Sequence, residues 1–94
     1  MVEMAEIREV AQKIGRQANA KSVILFGSYA RGQATEYSDV DILVQFKKNV
    51  GLLEFIGLKI RLEEALGRKV DLVEYESIKP ALKKAIRAQE VRLI

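Results

Sequence analysis

The chain has 94 residues, 49% of them hydrophobic, with 16 Lys and Arg against 13 Asp and Glu for a net charge of +3. That is enough for one domain, residues 1–94, with a single core and some apolar surface left over for a partner. It holds no cysteine and no histidine, which excludes disulfides, thiol nucleophiles, Cys- or His-based metal sites and imidazole acid–base chemistry.

In chain order, residues 2–18 are expected to form a helix. Ile7, Val10, Ala11, Ile14 and Ala18 mark one apolar stripe, with Glu and Arg opposite. Residues 22–26, "SVILF", form a short buried strand that Gly27 ends. Ser28 is placed to cap a short helix running to about Ala34. A polar turn, "TEYS", leads to a second strand at 40–46, "VDILVQF". A long helix follows over 51–66, with Leu52, Phe55, Ile56, Ile60, Leu62 and Leu66 near its stripe and Gly67 as its stop. A third strand covers 69–75, "KVDLVEY". Ser77 is then expected to cap a last helix beginning near Pro80. Ile78, Leu82 and Ile86 form its apolar edge, and Lys79, Lys83, Lys84 and Arg87 a basic, solvated face. The fold class is α/β (α+β): a small mixed sheet of three strands or slightly more, flanked by about four helices.

No apolar run approaches the length of a membrane span. The opening "MVEMAEIREV" carries acids early and has no apolar core, so no signal peptide is read there. The expected location is the cytoplasm. The modest charge suits a phosphate-bearing ligand better than a dedicated nucleic-acid surface.

Chemistry concentrates in the three aspartates, Asp39, Asp41 and Asp71. Aspartate is disfavoured in strands, yet all three fall at or inside expected strands. Asp39 and Asp41 are two residues apart, so a strand points both carboxylates to one face. Such a pair repels unless a cation lies between. Mg²⁺, held by one or two carboxylates and by substrate phosphates, is the cation that suits it. Taken alone, Asp-x-Asp also suits a solvated strand edge, and Asp71 also suits pairing with Arg68 or Lys69. Gly27-Ser28, between a strand and a helix, suits phosphate contact through backbone amides and the serine hydroxyl, or a plain turn and cap. Gly27 and Gly32 have the spacing of a P-loop, but Gln33 and Ala34 stand where Lys and Ser/Thr are required. Arg31, about one turn beyond Ser28, is placed either to reach a phosphate or to face solvent. Tyr29 and Tyr37 are expected to pack rather than stack on a base.

Gly27-Ser28, the ten residues 29–38, Asp39-Val40-Asp41 and a third carboxylate at Asp71 together resemble the minimal nucleotidyltransferases of the DNA polymerase β-like superfamily. "GSYARG", "SDVDILV" and "IKPALKKAI" extend the resemblance over nearly the whole chain. It implies a palm-like fold and two Mg²⁺ ions held by Asp39, Asp41 and Asp71. It implies that Gly27 and Ser28 hold the phosphates of ATP, near which Arg31 is a further candidate by its spacing, and that a nucleoside monophosphate passes to a hydroxyl. Members of this size resemble the antitoxins of two-gene modules whose partner is an all-helical HEPN toxin. The implied function is AMP transfer to a hydroxyl of that toxin, its tyrosine above all. The alternatives are neutralisation by binding alone, or transfer to a small molecule or RNA end.

Overall fold

The computed structural model describes residues 2–88 and 90–94. Helix α1 spans Met4–Gln17, strand β1 Ala20–Phe26, the single turn α2 Gly27–Ala30, β2 Val40–Phe46, α3 Leu52–Leu66, β3 Val70–Glu74, α4 Pro80–Arg87 and β4 Val91–Arg92. A 3₁₀ turn, Tyr75–Ser77, links β3 to α4.

The strands form one sheet in the order β3-β2-β1-β4. β1 runs antiparallel to both β2 and β4, and β2 runs parallel to β3 through α3. β1, β2 and β3 send alternate residues to a common core. Val23 and Leu25, Val40, Ile42 and Val44, and Val70 and Leu72 are all buried on that side. Ile7 and Ala11 of α1 and Leu58, Leu62 and Leu66 of α3 cover them. Gly15 lets α1 lie close on β1, since a Cβ there would stand 3.0 Å from Val23 Cγ2. α3 ends at Gly67, in the left-handed region at φ 65°, whose N–H returns to the Glu63 carbonyl at 2.8 Å.

The sheet has four strands, within the expected size, because β4 pairs with Ile24 and Leu25, and Leu93 just beyond it enters the core. Several other expectations need correction. α2 stops at Ala30, short of Ala34, and its N-cap position is Phe26, so Ser28 lies inside the turn and does not cap it. Ser77 does not cap α4 either. Lys79 holds that position because Pro80 forces an extended residue before it, and neither helix has a side-chain cap bond. α3 is turned from the expected stripe. Leu58 is buried, whereas Leu52, Ile56 and Ile60 are exposed. No helix among the described residues is long and apolar enough to cross a membrane.

Candidate active site

The opposite face of the sheet carries the polar positions. Phe26 pairs with Asp41, and Asp41 with Asp71, in the register of the three strands. Residues paired across strands project to the same side, so β2 and β3 set two carboxylates next to each other. β1 ends beside them and turns at Gly27.

That turn requires glycine. Gly27 has φ 72°, and a Cβ there would overlap the Asp41 carboxylate, standing 2.9 Å from its Cγ. The backbone approaches the acid closely because no side chain intervenes. Gly27 and Ser28 open α2, whose first amides have no acceptor within the helix. Arg31 follows as the C-cap residue, its Nε donating to Gln33 Oε1 at 3.1 Å.

These groups line a cleft of about 640 Å³, with Phe26, Gly27, Ser28 and Arg31 on one side and Asp41, Asp71 and Val73 on the floor. The remaining wall is the apolar edge of α4, Ile78, Leu82, Ala85 and Ile86. The cleft thus joins an acidic floor to a cation and an apolar wall. Asp41 shows the electrostatic consequence. Partial burial, then the charges of Asp71 and Asp39, push its carboxyl above the usual carboxylate range, and Arg31 opposes them.

Of the residues singled out from sequence, Gly27, Ser28, Arg31, Asp41 and Asp71 meet in this cleft. Asp39 precedes β2, half-buried, and does not line the cleft, although its charge reaches Asp41. Arg68 turns to the Glu36 carbonyl instead of pairing with Asp71. Tyr29 packs in the core as expected, with its hydroxyl accepting the Val2 N–H at 3.5 Å, but Tyr37 is 87% exposed. Phe26, Val73 and the α4 wall were not singled out. Strand alternation was the available signal for the first two, because they share a face with the aspartates.

The sheet and the cleft define a class, a small mixed α/β domain with an acidic cleft on one face of its sheet. The nucleotidyltransferase domain family matches residues 5–94, and the chain belongs to that family. It is 41% identical over 87 residues to the protein adenylyltransferase MntA of Thermococcus cleftensis, covering 93% of this chain and 84% of that one. In structure it is similar to a chain of a toxin–antitoxin crystal structure with AMP-PNP, with a TM-score of 0.83 and 28% identity over 93% of this chain and 72% of that one. It is also similar to a chain from the complex of a tri-AMPylated Shewanella oneidensis HEPN toxin with its MNT antitoxin. There the TM-score is 0.74, with 26% identity, 94% of this chain and 69% of that one.

Proposed function

We propose that this nucleotidyltransferase moves AMP from ATP to a hydroxyl, a tyrosine of a partner HEPN toxin, and so acts as that toxin's antitoxin in the cytoplasm. The observation that carries the reading is the register Asp41↔Asp71 with Gly27 packed against Asp41 in one cleft.

The donor set suits Mg²⁺. It consists of carboxylate oxygens, and the crowding of negative charge around Asp41 is what a divalent cation relieves. Among the described residues no three acidic side chains are gathered closely enough to hold an ion by themselves. Mg²⁺ commonly takes one or two carboxylates and completes its shell with phosphate oxygens and water. Asp41 and Asp71 would hold it, with Asp39 from the approach to β2. Such ions would supply Lewis-acid stabilisation of the charge on the attacking and leaving oxygens.

The chain's own residues position the reactants. Gly27 and Ser28 receive the β- and γ-phosphates through backbone amides and the Ser28 hydroxyl. Arg31 offsets the phosphate charge from the same side. The apolar edge of α4 gives the nucleoside a dry wall. The acceptor oxygen bonds to the α-phosphorus as the bond from that phosphorus to the β-bridging oxygen breaks. Pyrophosphate leaves, and the hydroxyl proton passes to the Asp71 carboxylate and on to solvent.

The test is intact mass of the protein encoded beside this chain's gene, co-expressed with the wild-type chain or with the Asp39→Asn/Asp41→Asn variant. Increments of AMP with wild type alone are expected. An unmodified partner in both cases sinks the reading. Neutralisation by binding without transfer is the second reading, favoured by the exposed Leu52 and Leu53 of α3. It requires neutralisation to survive loss of all three aspartates.

A further inference from the structure

The outer side of α3 is apolar without being buried. Leu53 is 85% exposed, Leu52 73%, Ile60 46% and Ile56 39%. Leu52, Ile56 and Ile60 recur every four residues, so they form one ridge along the helix. Single exposed apolar residues are ordinary, but a contiguous ridge on a small domain marks an interaction surface. Beside it, a groove of about 460 Å³ runs between the start of α3 and β3, lined by Val50, Leu52, Phe55, Leu72, Val73 and Ser77.

Val73 also lines the active-site cleft. The groove and the cleft therefore meet at one side chain, two residues along β3 from Asp71 and on the same face of the strand. β3 is an edge strand, so no further strand stands between this surface and Asp71. The other sides of the cleft are taken by the Gly27–Arg31 turn and by α4.

The geometry points to the α3 ridge and the α3–β3 groove as the docking surface for the acceptor protein, which lays an apolar helix along α3 and presents its hydroxyl over Val73 to Asp71. This rests on the adenylyl-transfer reading above. Continuity with the cleft is what selects the occupant. A protein acceptor has to be held at the mouth of the site, and this surface runs into that mouth at Val73. A ridge with four-residue spacing fits the grooves of another helix. The partner's side of the contact is accordingly helical and apolar at its centre.

The experiment compares wild type with Leu53→Glu/Ile60→Glu, and both with Asp41→Asn, against the protein encoded beside this chain's gene. Leu53 and Ile60 are surface residues outside the cleft, so the melting temperature and the thermal shift induced by ATP with Mg²⁺ are expected to match wild type. Affinity for the partner is expected to fall at least tenfold. AMP transfer is expected to slow at low partner concentration and recover at saturation, a KM effect. Asp41→Asn is expected to do the reverse, keeping the complex and losing transfer. Equal affinity of the double variant and wild type overturns the docking surface, as does failure of wild type to form any complex. A wild-type dimer in sedimentation that Leu53→Glu/Ile60→Glu dissolves also overturns it, assigning the ridge to a second copy. A wild-type complex weakened by the double variant but never carrying AMP upholds the docking surface and sinks the transfer reading.

Discussion

The two faces of the sheet are built on opposite terms. On the core face Val40, Ile42, Val44 and Val70 are fully buried beneath α1 and α3. On the other face β2 and β3 offer Asp41 half-buried and Asp71 exposed, flanked by the Gly27–Arg31 turn and by α4, of whose residues Ile86 alone is buried. The core face is wholly packing, whereas the other mixes the charges of Asp41 and Asp71 with the buried Leu43. A sheet of four short strands can carry an unfavourable face because the opposite one supplies the stability. The cost is visible at Asp41, whose carboxyl is held above its usual range.

Substitutions on the two faces should separate these roles. Asp41→Asn is expected to cut nucleotidyl transfer by on the order of 10³-fold, the scale of losing a central electrostatic group. It should also raise the melting temperature by a few degrees, since it removes a poorly tolerated charge. A transfer assay beside thermal melts checks both, and a destabilised Asp41→Asn would contradict the picture of a strained acidic floor. Leu62→Ala, on the core face and 2% exposed, is expected to cost about 2–5 kcal/mol. That is a large share of the total for a domain of this size. Denaturant titration would show it, and activity per folded molecule should stay close to wild type.

Gly27→Ala lies between the two cases. It forces a non-glycine residue into the left-handed region, costing about 1–2 kcal/mol, and pushes a methyl into the Asp41 carboxylate. Transfer should fall about 10²-fold, with the loss exceeding what the stability change explains. Comparable activity in folded Gly27→Ala would show that the close approach of backbone to carboxylate is incidental.

Much of this division was legible in the sequence. Strand alternation put Asp39 and Asp41 on one face, the structure buries Val40, Ile42 and Val44 of the same segment on the other, and the stripe through Ile7, Ala11 and Ile14 oriented α1 correctly. α3 was harder, because apolar residues wrap more than half of its circumference. Periodicity finds that arc but does not say which part meets the core and which part meets a partner. Leu58, Leu62 and Leu66 took the core, leaving Leu52, Ile56 and Ile60 outside. β4 escaped because two residues, Val91 and Arg92, carry no periodic signal. The Ser28 and Ser77 caps failed because each helix begins elsewhere than the hydroxyl implied. The apolar edge of α4 was legible but not its place in the cleft wall, since amphipathicity alone does not distinguish a core from a ligand wall.

The smallest expected effect sharpens the boundary between the faces, at the start of β3. Val70 lies on the core side and Asp71 on the active side. The Val70 N–H donates to Glu63 Oε2 at 3.0 Å, and Lys59 Nζ meets the same oxygen at 3.1 Å. The bond from Val70 first, and then Lys59, hold the Glu63 carboxyl below the usual carboxylate range. Because the folded value is depressed, the carboxylate stabilises the fold above its unfolded pKa of about 4.3. That contribution fades as pH falls through the lower folded value. Glu63→Gln keeps an acceptor for Val70 but cannot titrate. The wild-type melting temperature should therefore fall more steeply than that of Glu63→Gln as pH drops from about 5 to 3, with the two nearly equal at neutral pH. Parallel slopes would mean that packing at Val70 anchors β3 without the charge, and that Asp71 owes its position to the core face alone.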